Sequence, residues 1–197
     1  MRSLAEMSRA TWWAFAVAAA AFVAAVVTAL ALVPASVATG AWQLVSGIAL
    51  MVALARGWAG IRPAIPFVGA AAVGLVLGVA GVLFPTSDPR IALLAIGMWA
   101  VVAGAGYLAV SRIALSFRVP DGGLVRIAWA SIALGVVSST LPAFGLGAST
   151  PLVAGALVAV GVITALASLR LRVLPDEAPA ALSNREARRR DRDAKGR

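Results

Sequence analysis

The chain has no cysteine and no histidine. Thiolate catalysis, disulfides, Cys/His zinc sites, haem ligation through either residue and a histidine pH switch are thereby excluded. Acidic residues number only 8, and lysine occurs once, at Lys195. Charge of either sign makes up only 13% of the residues, and it lies at the ends of apolar runs and in one terminal tail. The sequence shows no P-loop, no Rossmann fingerprint and no paired-carboxylate site.

In their place the chain is 61% hydrophobic, with a mean hydropathy of +0.95. Soluble domains sit near 45–50% apolar residues, so long uncharged runs on this scale point to membrane-spanning helices. The pI of about 11.8 raises the question of nucleic acid. No basic groove or aromatic-interleaved platform accompanies it, so the reading is no nucleic acid. Arginine in place of lysine, with abundant Ala, Gly and Val, points to a GC-rich bacterial genome.

Six spans follow along the chain, at about 11–33, 37–55, 65–84, 91–111, 127–144 and 150–169. At about 1.5 Å per residue each approaches or exceeds the roughly 30 Å hydrocarbon layer. A signal peptide cleaved near Ser36-Val37-Ala38 competes for the first run, but its apolar part exceeds the usual 7–15 residues or so. Asp88-Pro89 and Thr150-Pro151 read as helix starts, with a side-chain cap followed by proline in the first turn. Pro120-Asp121-Gly122-Gly123 reads as a turn.

With the N-terminus (1–10) in the cytoplasm, Arg90 is the one basic residue in an outer loop. The other 16 of 17 fall inside, among them the helix-ending Arg56, Arg112 and Arg170. The positive-inside rule thus places both termini in the cytoplasm. The tail, 173–197, carries Arg188, Arg189 and Arg190 and is expected to be disordered, with a short exposed helix over NREARRRDRDAK (184–195) as the alternative. It fixes topology and is suited to contact with anionic lipid headgroups, at about 1 kcal/mol per basic residue.

An internal repeat runs through the membrane part, 11–172. Residues 40–56 (GAWQLVSGIALMVALAR) return at 97–112 (GMWAVVAGAGYLAVSR) and more faintly at 154–170 (AGALVAVGVITALASLR). Gly47, Gly104 and Gly161 are each 57 residues apart; Gly78 returns as Gly135, and Pro85 as Pro142. Each unit holds two spans, giving three parallel hairpins at about 11–56, 65–112 and 127–170. The fold class is therefore all-α integral membrane, six helices as three parallel hairpin repeats. In lipid, helices associate by close packing, so Gly47, Gly74, Gly78, Gly104, Gly135 and Gly161 are the expected packing seam between hairpins. Trp12, Trp13, Trp58 and Trp129 read as interfacial anchors, and Trp42 and Trp99 as packing or an outer belt.

Away from their ends the spans hold no Asp, Glu, Lys, Arg or His, the groups that pumps and proton relays use at depth. Gln43, Ser138 and Ser139 are the candidates for polar or ligand contact. Ser138 and Ser139 have no neighbouring base to activate them, so nucleophilic catalysis lacks a mechanism. The expectation is a non-enzymatic protein with no catalytic residue, cofactor or metal.

The runs GLVLGVAGVLFP (74–85) and IALLAIGMWAVVAGAGYLAVSR (91–112) resemble the HdeD-like acid-resistance membrane proteins. The resemblance covers about 11–172 and departs in the first hairpin, where Ala21 and Ala24 replace glycines, and in the tail. It implies a six-span protein of the bacterial inner membrane associated with acid or stress survival, by a mechanism the family does not define. The expectation taken from it is a non-enzymatic protein linked to acid or envelope stress, acting through helix packing or contact with a partner. The alternatives are a small transporter or channel for a neutral or weakly polar solute, and an accessory subunit whose basic tail binds a partner. A homo-oligomer is a further open expectation.

Overall fold

The computed structural model describes residues 11–58, 64–116, 122–144 and 149–195. The N-terminus 1–10, Arg62, Pro63, Arg118, the Pro120-Asp121 half of the expected turn, and the connection 145–148 lie outside the described residues. Within them the chain forms α1 (Trp12–Ala29), α2 (Ala35–Ala53), α3 (Ala64–Leu83), α4 (Pro89–Ser116), α5 (Gly122–Thr140) and α6 (Thr150–Lys195), with no strand. All six helices are long and apolar enough to cross a membrane.

The helix ends are set by local chemistry. The Arg90 backbone N–H donates to Asp88 Oδ1 at 2.9 Å, capping α4 just ahead of Pro89 in its first turn. At α6 the Ser149 carbonyl accepts from the N–H groups of Leu152 and Val153, so Ser149, one residue before Thr150, is the capping position. Helix α1 ends in paired bonds from Ala31 to Thr28 and from Leu32 to Val27, a Schellman closure. Ala31 occupies its left-handed position at φ 52°, where glycine is the usual residue. Helix α2 finishes in a π turn, Leu54–Trp58.

The closest pairings are α4 with α5, α2 with α3, and α1 with α6. The pairs inside each expected hairpin, α1/α2, α3/α4 and α5/α6, pack less closely. Helices α2, α4 and α6 also touch one another. The spans of α2 and α4 are 56% buried against 28% for α3 and α5, so α2 and α4 form the interior and α3 and α5 the rim.

Glycine explains the tight pairings. A methyl built on Gly78 would stand 2.7 Å from the Leu44 nitrogen and 3.0 Å from the Gly40 carbonyl oxygen. One on Gly74 would meet the Gln43 carbonyl at 2.8 Å, and one on Gly47 the Leu75 nitrogen at 2.9 Å. Between α4 and α5, Gly104 lies against the Ala128 carbonyl and Ile132, and Gly135 against the Gly97 carbonyl and Val101. Gly161 of α6 receives the ring of Phe22 on α1. Backbones this close gain dispersion and leave no room for a Cβ, which is how helices associate where apolar burial gives no drive.

Aromatic rings fill the remaining interior. Trp42 and Trp99 meet edge-to-face at 5.1 Å, joining α2 to α4. Trp13, Phe67 and Tyr107 form a second chain across α1, α3 and α4, at 5.7 and 5.8 Å. Trp13 is fully buried, so it is a core residue and not the interfacial anchor expected of it; its ring has turned inward onto Phe67. Trp12 and Trp129 remain exposed.

Where the sequence suggests a disordered tail from 173, α6 continues as helix to Lys195. Its 46 residues amount to about 69 Å, over twice the hydrocarbon thickness. A helix already nucleated in the bundle extends through a segment rich in Ala and Arg without a fresh nucleation cost. The side chains of Arg188, Arg189 and Arg190 lie outside the described residues. Arg56 and Arg112 are exposed near the ends of α2 and α4, and Arg170 is exposed part-way along α6, which runs on to Lys195; Arg172 lies 4.6 Å from the ring centre of Phe15.

Candidate binding cleft

Several polar side chains in the spans are spent on local structure. Ser46, Thr140 and Thr164 donate to the carbonyl four residues back, and Ser111 and Ser168 to the one three back. Others bridge helices. Ser131 of α5 donates to the Ala100 carbonyl of α4 at 2.8 Å, and the Trp42 indole to the Val17 carbonyl of α1 at 3.3 Å. The Tyr107 hydroxyl lies beside Thr164 without a well-formed hydrogen bond.

Gln43 differs from all of these. It is fully buried, and its Nε2 donates to the Ala95 carbonyl of α4 at 2.8 Å. That bond fixes which end of the amide is oxygen. The oxygen, Oε1, is buried with no partner among the described residues. Thr39, one helical turn earlier, is also buried, and its hydroxyl is unpaired, as are Thr28 Oγ1 and Trp99 Nε1. An unmet buried polar group costs about 1–3 kcal/mol, so such groups call for an explanation.

Gln43 and Thr39 stand in the wall of a cleft of about 410 Å³ between α2, α3 and α4. The cleft exists because α3 is drawn onto α2 by the glycine seam, which leaves it apart from α4. Toward one end of the bundle Phe67 closes the gap, packed on Gly106 and Tyr107. Toward the other, near the α3–α4 connection, Ala80, Ala92 and Ala95 leave space, and the Phe84 ring lies exposed at the mouth. At the mouth, Ser36 donates to the Thr86 carbonyl at 2.7 Å and accepts from the Thr86 N–H at 2.9 Å, tying α2 to the connection. Phe84, Ile91, Leu94 and Met98 flank the mouth with exposed apolar surface.

Two further clefts occur, one of about 410 Å³ along α1 and α2 and one of about 250 Å³ between α4, α5 and α6. Their walls correspond by sequence offset. Leu77, Gly81, Phe84 and Ala95 of the Gln43 cleft lie 57 residues before Leu134, Ser138, Leu141 and Leu152. They lie 57 residues after Ala20, Ala24, Val27 and Ala38. The hydrogen-bonding groups do not correspond: positions 39 and 43 become Ile96 and Ala100, then Val153 and Leu157.

Ser138 is buried in the α4/α5/α6 cleft, away from Gln43, while Ser139 is half-buried on the α4/α5 seam against Gly97. The structure therefore does not join the two serines to Gln43 in one site. It adds Thr39, which sequence reasoning passed over; Thr39 and Gln43 stand three and seven residues after Ser36, on one helical face, and that spacing was the available signal. Comparison with family models, with curated proteins and with solved structures gives no match.

Proposed function

We propose that this chain is a non-enzymatic integral protein of a bacterial cytoplasmic membrane, with both termini inside. In this reading it is built from three parallel hairpin repeats and serves acid or envelope stress survival through its packed body and contact with a partner. The observation that carries the non-enzymatic part is chemical. The buried polar groups of the described spans are hydroxyls, indoles and one amide, with no carboxylate, ammonium or guanidinium among them. Such groups bind and pack, but none is a strong acid, a strong base or an activated nucleophile. The repeat is supported by the cleft walls matching at the 57-residue offset that aligns Gly47, Gly104 and Gly161. The stress role rests on the HdeD-like resemblance.

A deletion strain, challenged at low pH and with envelope-damaging agents, tests the role. Loss of survival restored by the full chain is the expected result; wild-type survival under every condition contradicts it. Orientation is tested separately. The chain lacks cysteine, so single cysteines placed at Ser87 and Ser183 can be labelled in intact cells without first clearing a background. Labelling at 87 and protection at 183 is expected, and the reverse contradicts the topology.

A second reading, a transporter for a neutral or weakly polar solute, is favoured by the Gln43 cleft. It requires solute flux in proteoliposomes, and absence of flux across a broad panel removes it. The helical extension of α6 to Lys195 supports a third, an accessory subunit with a partner-binding tail. Intact survival after removal of 174–197 removes that one.

A further inference from the structure

We propose that the α2/α3/α4 cleft is a binding site for a neutral lipid alcohol drawn from the bilayer, held through its hydroxyl by Gln43 and Thr39. This goes beyond the scaffold reading and does not depend on it.

The first argument is the pairing deficit. Gln43 Oε1 can only accept, and it lacks a donor. The Thr39 hydroxyl can donate and accept, and it does neither. Thr140, Thr164 and Ser46 satisfy their hydroxyls on the carbonyl four residues back; Thr39 makes no such bond to Ala35. A single alcohol group meets both needs, donating to Gln43 Oε1 and accepting from Thr39.

The second argument is charge and polarity. No cation or carboxylate lines the cleft, so a phosphate, an ammonium or a fatty acid would be held without a counter-charge. Beyond Ser36, Thr39, Gln43 and Thr86 the wall is aliphatic or aromatic, and Ser36 and Thr86 already satisfy each other. The occupant is therefore apolar over most of its surface, with one neutral polar group.

The third is access and size. The mouth is flanked by exposed Phe84, Leu94 and Met98 within or beside the spans, an apolar rim that suits a chain entering from the bilayer. Gln43 lies eight residues into α2, about 12 Å from its start. The volume, about 410 Å³, is within the roughly 300–1,000 Å³ range of small-molecule sites. At about 30 Å³ per heavy atom it takes an alcohol of roughly 14 such atoms. The clefts at the 57-residue offset lack both hydrogen-bonding groups, so they serve as internal controls that admit plain hydrocarbon.

The test uses the full chain in nanodiscs of a saturated phosphatidylcholine, with radiolabelled 1-tetradecanol as probe. Saturable binding is expected, displaced by unlabelled 1-tetradecanol but not by tetradecane, and not by 1-butanol supplied from water. Gln43→Leu and Thr39→Val should each weaken binding by roughly tenfold, the value of one lost hydrogen bond in a dry site. Ala95→Leu should abolish it by filling the cleft. Each variant is checked for an unchanged helical spectrum and elution profile. Any of three results overturns the proposal: equal displacement by tetradecane, displacement by 1-butanol alone, or unaltered affinity in both Thr39→Val and Ala95→Leu. An ordered water bridging Gln43 Oε1 and Trp99 Nε1, with no saturable alcohol binding, also overturns it.

Discussion

Helix α3 has two principal neighbours in the bundle and meets them in opposite ways. Against α2 it presents Gly74, Gly78 and Gly81, and the backbones touch through Gly40 and Gly47. Against α4 it presents Leu77, Ala80 and Phe84, and a cleft of about 410 Å³ separates them. Both interfaces are apolar, so hydrophobicity does not distinguish them. The arrangement of side chains does: glycines in register bring two backbones together, and a rim helix drawn fully onto one neighbour stands away from the other. Closeness to α2 and space toward α4 are one fact seen from two sides. The α4/α5 pair repeats the close arrangement through Gly97, Gly104 and Gly135.

That contrast can be broken first in the second seam. Gly135→Val puts a branched side chain where the Gly97 carbonyl oxygen and the Val101 nitrogen lie 2.6 and 2.8 Å from the first added carbon. Neither neighbour can move without shifting a helix, so a loss of about 3 kcal/mol or more is expected, read as failure to recover monodisperse protein in mild detergent. Next comes Trp42→Leu, which opens the aromatic junction between α2 and α4. It removes the edge-to-face contact with Trp99 and the bond to the Val17 carbonyl. About 2 kcal/mol is expected, measured by unfolding in sodium dodecyl sulfate, and an unchanged midpoint counts against the junction.

Ser131→Ala probes the seam more gently. It deletes one interhelical hydrogen bond to the Ala100 carbonyl and leaves the backbones in place. Its effect should be about 0.6–1.5 kcal/mol, clearly below that of Gly135→Val. Ala31→Gly is the smallest change and lies outside both interfaces. It relieves a left-handed alanine at φ 52°, so a gain of about 0.5–1 kcal/mol is expected; a loss would mean Ala31 is needed for a contact.

The spans were legible because each combines a long uncharged run with a charge, Pro or Gly at its ends, as 91–111 does between Arg90 and Arg112. Gln43 stands out in the sequence as the one amide on an apolar helix. The cleft was not legible. It depends on how far α3 stands from α4, which is set by glycines facing a different helix. The inward turn of Trp13 was hidden too, since an amphipathic ring near a span end reads as an anchor until Phe67 is known to lie beside it. The helical continuation of α6 was masked by Pro175 and Pro179, which argue against helix in isolation.

The most direct measurement sets two substitutions of matched size side by side. Gly78→Val and Ala95→Leu each add three heavy atoms, the first to the α2/α3 seam and the second to the cleft wall. Thermal unfolding of both in the same detergent decides the matter. Gly78→Val should lower the midpoint steeply or prevent folding, because its first added carbon stands 2.7 Å from the Leu44 nitrogen. Ala95→Leu should stay within a few degrees of the unaltered chain, growing into space that already exists. Equal losses in the two variants, or the greater loss at Ala95, would contradict a closed seam beside an open cleft.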